Sequence, residues 1–107
     1  MDIRQYQIVI VNLDPTIGSE IRKTRPCVVV SPDEMNRHLQ TVTVCPITST
    51  SKSYPTRIKI SVKQKMSWIV VDQIRTLDRK RIVKSIGHLE EETIAELKAI
   101  IKETFVD

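Results

Sequence analysis

At 107 residues, with 17 Lys+Arg against 13 Asp+Glu and a formal net charge of +4, the chain has the size and polarity of one folded domain. Two glycines leave no material for a glycine-rich phosphate cradle or a dinucleotide fingerprint, and two cysteines exclude a Cys-rich zinc site or a disulfide scaffold. The aromatics Tyr6, Tyr54, Trp68 and Phe105 are too few for the stacking surface of a typical single-strand binder.

No apolar run approaches the roughly 18 residues that would span a bilayer, so no membrane partner is expected. The start, Met1-Asp2-Ile3-Arg4-Gln5, lacks the apolar stretch of an export signal. The default expectation is therefore a reducing cytoplasm, in which Cys27 and Cys45, each inside an apolar run, read as small buried hydrophobes.

The elements follow in order. Residues 6–13 (YQIVIVNL) are β-branched and nearly apolar throughout, the pattern of a strand covered on both faces. Asp14-Pro15-Thr16 ends it with turn chemistry, and residues 19–24 are polar and basic, which predicts an exposed loop. Residues 26–31 (PCVVVS) are a second strand. Ser31-Pro32-Asp33-Glu34 predicts a helix start, with Ser31 as N-cap, Pro32 at the first helical position and Glu34 closing a capping box. That helix is short, because residues 41–47 (TVTVCPI) are strand again.

Residues 48–55 are the most polar, loop-like stretch. Residues 56–62 alternate as a half-exposed strand, and residues 68–71 form a compact apolar strand with a continuation toward Leu77. A turn or short helix at residues 78–81 precedes a last strand over 82–89, where Gly87 suggests a bulge. Residues 90–105 predict a helix, with an acidic first turn and an apolar stripe at Ile94, Leu97, Ile100 and Ile101. That stripe suits core packing, with a dimer contact as the alternative. Six or seven short strands with one long helix point to a small, strongly curved antiparallel β-barrel, not to a parallel α/β sheet.

Charge is unevenly placed. Residues 54–88 carry 9 basic and 2 acidic side chains, whereas residues 89–107 carry 2 basic and 6 acidic. A basic middle attracts polyanions such as RNA or DNA. Lys59, Lys63 and Lys65 also suit the plainer role of solvating an exposed strand face. Neither histidine, His38 or His88, has a supporting pattern for acid–base work, and the spacing of Asp14, Glu20, Asp33 and Asp72 makes no metal site.

Two polar loops abut strand ends, residues 18–26 and residues 46–50. If the second and third strands are neighbours, Arg25 and Thr48 lie close together. A guanidinium fork and a hydroxyl there suit a phosphate.

The ordered pieces Asn12-Leu13-Asp14-Pro15-Thr16-Ile17-Gly18-Ser19-Glu20, Arg25-Pro26, Val28-Val29-Val30-Ser31-Pro32, Pro46-Ile47-Thr48, Tyr54-Pro55 and Val71-Asp72-Gln73-Ile74-Arg75 resemble the MazF/PemK family of toxin endoribonucleases. The resemblance spans most of the chain. It implies an SH3-like barrel with a C-terminal helix, a single domain over residues 1–107, a homodimer, and metal-independent cleavage of single-stranded RNA at short sequences, without cofactor. It implies a cognate antitoxin protein whose acidic tail would cover the basic groove. It assigns catalysis to Arg25 and Thr48. Ser19, Glu20, Arg22, Lys23 and Gln73 are the expected substrate-binding residues, with Asp72 structural or RNA-contacting. Where the family usually has Gln and Gly after Gly-Ser-Glu, this chain has Ile21-Arg22-Lys23.

The reaction so implied is attack of a ribose 2′-OH on the adjacent phosphorus, leaving a 2′,3′-cyclic phosphate and a 5′-OH end. A guanidinium titrates above roughly 12, which suits a clamp on the phosphorane better than a general base. Two alternatives share such a barrel: a gyrase-inhibiting toxin and a non-catalytic nucleic-acid-binding barrel. The former depends on a Trp-Gly-rich C-terminus, whereas this chain ends Lys102-Glu103-Thr104-Phe105-Val106-Asp107.

Overall fold

The computed structural model describes residues 2–13, 23–51 and 54–106. Among the described residues, seven strands and two α-helices run in the order β1 (Gln7–Asn12), β2 (Thr24–Val29), α1 (Asp33–His38), β3 (Thr41–Thr48), β4 (Arg57–Val62), β5 (Lys65–Val70), β6 (Arg75–Asp78), β7 (Ile82–His88) and α2 (Glu91–Ile101). All pairings are antiparallel, in the order β4-β5-β3-β2-β1-β7, with β6 also on β3. The sheet curls into a half-barrel, as its many short β-branched strands predict.

The eight-residue strand β3 causes the curl. Its first half pairs with β6 (Thr41↔Asp78 to Val44↔Arg75), and its last two residues pair with β5 (Ile47↔Ile69, Thr48↔Trp68). One edge thus serves two partners and must bend between them. β5 and β6 are not one strand: a 3-10 turn over Val71–Gln73 separates them, with the Ile74 amide donating to the Val71 carbonyl. The apolar run through Val71 gave no sign of that break.

Strand alternation divides the buried side chains into two layers. Val9, Val11, Cys27, Val29, Val42, Val44 and Leu77 share one cluster. Val28, Cys45, Ile47, Ile58, Ile69 and Val71 share the other, which α2 covers with fully buried Leu97 and half-buried Ile94, Ile100 and Ile101. The apolar stripe of α2 is therefore core packing. Each fully buried aliphatic side chain contributes about 1.5–3 kcal/mol. Cys27 and Cys45 lie in opposite layers. Burial pushes their thiols up to about 11 and about 12, so both stay protonated and inert.

Three local expectations shift. Tyr6 lies outside β1, in a turn at φ 69°, where its amide donates to the Val29 carbonyl at 2.6 Å. The helix α1 starts one residue later than predicted, with Pro32 as N-cap. Ser31 makes no capping box. Its hydroxyl is buried, donating to Asn36 Oδ1 and accepting from the Thr43 amide. β7 has two irregularities against β1: one falls on Ile86, beside Gly87, since Ile8 pairs with Gly87 and Val9 with Ser85, and a second falls on Val83, since Ile10 pairs with Lys84 and Val11 with Ile82.

Candidate active site

β2 and β3 are neighbours, with Cys27↔Pro46, Val28↔Cys45 and Val29↔Val44 in register. Continuing that register by two residues puts Arg25 opposite Thr48, so directly opposed side chains project from the same face. The two catalytic expectations thus meet at one end of the sheet.

Both line an open cleft of about 560 Å³, together with Thr24, Pro26, Lys63, Lys65 and Lys84. No carboxylate lines it among the described residues. Four cations facing one cleft set a field that attracts a polyanion. Arg25 is exposed, and its guanidinium has no hydrogen-bond or ion-pair partner among the described residues.

Thr48 is half-buried and held by the turn that follows it. Its Oγ1 accepts from the Thr50 amide at 3.3 Å and donates to the Thr50 carbonyl at 3.2 Å. The amide fixes the oxygen, while the hydroxyl proton can rotate toward a ligand at the cost of one modest hydrogen bond.

Lys63 and Lys65 arrive by a tight turn. The hairpin between β4 and β5 pairs Val62 with Lys65 and leaves Lys63 and Gln64 at φ 49° and 66°. Two positive φ values mark a type I′ turn, which normally calls for Asn-Gly. Lys-Gln carries no such signature, so the sequence concealed this turn and the lysines' place in the cleft. Lys59 instead lies with its ammonium 5.8 Å from the Trp68 ring centroid. Lys84 was also missed; the basic excess of residues 54–88 was its only signal.

The remaining expected residues divide. Ser19, Glu20 and Arg22 fall outside the described residues. Lys23 is exposed and lines neither hollow described here; its carbonyl accepts from the Leu13 amide at 2.8 Å. Gln73 lies in the 3-10 turn and lines a second hollow of about 260 Å³ with Leu13, Arg25, Cys27, Pro46 and Arg75.

Asp72 sits in a hydrogen-bonded cluster with Thr56 and Arg57. Its Oδ1 accepts from Arg57 Nε at 3.1 Å and Thr56 Oγ1 at 2.9 Å, and Arg57 also donates to the Ser51 hydroxyl at 2.7 Å. The Arg57 and Thr56 hydrogen bonds hold the Asp72 carboxyl below the usual carboxylate range. This cluster ties the segment after Thr48 to the turn after β5. His88 faces backbone carbonyls, of Leu89 at 2.9 Å and Gln5 at 3.2 Å, and so acts in packing. Among the described residues, no three His, Cys, Asp or Glu side chains converge as a metal site. No helix among them is long and apolar enough to cross a membrane.

Comparison with solved structures returns the same fold. MazF from Deinococcus radiodurans superposes with a TM-score of 0.80 at 26% identity, over 100% of this chain and 99% of that one. The Mycobacterium tuberculosis toxin MazF-mt6 gives 0.79 at 25% identity, over 94% and 96%. An endoribonuclease from a mycobacterial species, solved in complex with its cognate antitoxin, gives 0.82 at 18% identity, over 97% and 95%. The model of the family of PemK-like, MazF-like toxins of type II toxin–antitoxin systems matches residues 4–105. The chain belongs to that toxin family.

Proposed function

We propose that the protein is an endoribonuclease that cuts single-stranded RNA at short sequences, Arg25 and Thr48 being its catalytic residues. The observation that carries this is that Arg25 and Thr48, from the neighbouring strands β2 and β3, line one cleft with four cations and no carboxylate among the described residues.

The chemistry follows from what these side chains can supply. The 2′-oxygen of one nucleotide attacks its own 3′-phosphorus; the P–O2′ bond forms and the P–O5′ bond breaks. The 2′-hydroxyl proton passes to solvent, and the departing 5′-oxygen takes up a proton. The products are a 2′,3′-cyclic phosphate and a 5′-OH end. Arg25 donates to the phosphorane oxygens, whose charge grows toward the transition state, and Thr48 adds a hydroxyl donor. Lys63, Lys65 and Lys84 hold the flanking phosphates. Asp72 and Arg57 set the segment after Thr48 and touch no substrate.

The solved structures of relatives with antitoxins support a cognate antitoxin as the protein partner, its acidic segment fitted to the cationic cleft. A homodimer places two such clefts in one particle.

The test is incubation of the purified protein with single-stranded RNA in excess chelator, followed by mapping of the ends. Cuts at a short recurring sequence with 5′-OH termini are expected, and an all-deoxy copy should bind and stay whole, since it lacks the 2′-nucleophile. Intact RNA under these conditions, or cutting of the deoxy strand, overturns the reading. Intact RNA together with blocked DNA supercoiling would mark a gyrase poison instead.

A further inference from the structure

Arg25 borders two hollows, not one. Side chains alternate along a strand, so Thr24 and Pro26 project to the opposite face from Arg25 and Cys27. Thr24, Pro26 and Ile47 line the 560 Å³ cleft; Cys27 and Pro46 line the 260 Å³ hollow on the other face. Arg25 is common to both, at the sheet end that separates them. A phosphate resting on Arg25 is therefore within reach of both hollows.

The second hollow has its own chemistry. Buried Cys27 and Pro46, with half-buried Leu13, give it apolar walls. Arg75, the first residue of β6, pairs with Val44 and so projects from the face of β3 that carries Pro46. Its exposed guanidinium has no ion-pair partner among the described residues. Arg25 and Arg75 both lie near enough to the Cys27 thiol to oppose the upward push of burial on it. Gln73 adds an amide with both donors and an acceptor. A volume of about 260 Å³ falls below the roughly 300 Å³ at which pockets for drug-sized ligands begin. It suits one flat ring between apolar walls, met at its edge by a guanidinium and an amide.

We propose that this second hollow is a nucleobase subsite for the nucleotide on one side of the phosphate held by Arg25, with Arg75 and Gln73 reading its edge. The inference rests on the reading of the cleft as an RNA site and adds a determinant of sequence choice. Arg75 offers donors only, so the favoured base carries a carbonyl oxygen at the edge it presents. On the major-groove edge guanine O6 and uracil O4 do so, whereas adenine and cytosine carry an amino group there. Arg75 is a specificity residue in this scheme, and the reacting atoms stay with Arg25 and Thr48.

Two measurements test it. In the first, RNAs varied at the two positions flanking the cut are digested by wild type, Arg75→Lys and Arg75→Met. Wild type should favour guanine or uracil at one flanking position by tenfold or more, the scale of one good bidentate contact. Arg75→Lys, which keeps the charge and loses the fork, should lose most of that preference while cutting the previously disfavoured RNAs at near wild-type rates. Circular dichroism confirms that each variant is folded. Equal use of all four bases by wild type at both positions, an unchanged preference in Arg75→Lys, or a uniform slowing by Arg75→Met overturns the proposal.

In the second measurement, the complete set of 2′-deoxy dinucleotides is titrated while the side-chain NMR signals of Arg75 and Gln73 are followed. Shifts of both signals with guanine- or uracil-bearing members, and not with the others, support the subsite without any cleavage. A wild-type protein that shows these shifts but leaves RNA whole keeps the subsite and removes the nuclease. One that cuts RNA but shows no shift at either side chain removes the subsite alone.

Discussion

Arg25 and Arg57 both stand at the start of a strand, both near the segment that begins at Thr48, and their surroundings are opposite. The Arg57 side chain is only 17% exposed, and each of its three guanidinium nitrogens has a partner. It meets both oxygens of Asp72, at 3.1 and 3.4 Å, donates to Ser51, and lies 5.1 Å over the Tyr54 ring. Arg25 is exposed between two hollows, with no described side chain to satisfy it. A guanidinium whose donors are already placed holds a fold together. One whose donors face an open, cationic cleft is left for an anion from outside. The difference is not in residue type or strand position but in whether a carboxylate lies within reach.

The largest effect that sharpens this contrast is on chemistry. Arg25→Ala should lower the cleavage rate by about 10²–10³-fold, the usual loss when a donor to a developing oxyanion is removed. Its thermal midpoint should barely move, since exposed substitutions change stability by about 0.5 kcal/mol or less. Arg57→Ala should do the reverse, with about 1 kcal/mol lost from unfolding stability and a rate within a few-fold of wild type. Denaturant melts and single-turnover rates on the same preparations decide it. An Arg57→Ala protein that is slowed as much as Arg25→Ala, at unchanged stability, breaks the division between the two arginines.

Thr48 comes next. Thr48→Val removes the hydroxyl at nearly constant volume, and the single-turnover rate should fall about tenfold if one neutral donor to the phosphorane is lost. Thr48→Ser keeps the oxygen on the Thr50 amide and should stay close to wild type. Equal losses in Val and Ser would assign the effect to packing against the turn and not to the hydroxyl.

How far this contrast was legible in the sequence depends on the range of each interaction. Periodicity marked β2 and β3 as strands, which made Arg25 and Thr48 neighbours on the condition that the two strands pair; the structure meets that condition. The partners of Arg57 were not legible. Asp72 is 15 positions away and across a hairpin whose turn, Lys63-Gln64, carries no glycine. The same hidden turn concealed the lysines of the cleft, since alternating Lys in a strand reads equally well as a solvated face. The shift of Ser31 from cap to buried bridge has a similar cause: its hydroxyl donates to Asn36 Oδ1 and accepts from the Thr43 amide, and the Thr43 strand becomes its neighbour only after folding.

The cleft lysines give a smaller, additive effect. Lys63→Gln and Lys84→Gln should each weaken RNA binding a few-fold at moderate salt. Each should also reduce the slope of log affinity against log salt by about 0.7, the value for one phosphate contact on a single strand. Lys59→Gln, whose ammonium sits over Trp68, should leave the slope nearly unchanged. A matching change in slope for Lys59→Gln would mean that the cationic surface acts as a diffuse field and not through the cleft.

The smallest effect concerns the occupied arginine and is read through pH. Arg57 and Thr56 hold the Asp72 carboxyl below its ordinary value, so the folded state favours the ionised form more than the unfolded chain does. The unfolded chain takes up its proton near pH 3.9, and the folded chain at a lower pH. Stability from this group is therefore fully present above about pH 5 and declines as pH falls below about 4 toward the depressed value. With 37% of the Asp72 side chain in solvent, water and salt screen the pair, and the contribution is that of a surface bridge. Asp72→Asn should lower the thermal midpoint slightly at neutral pH, and its difference from wild type should shrink as the solution is acidified from about pH 5 to 3. Because every other carboxylate is common to both proteins, the convergence isolates Asp72. A gap that stays constant across that range would mean that the Asp72 charge contributes nothing and that only the shape of its hydrogen bonds matters. The contrast with Arg25 would then rest on geometry alone.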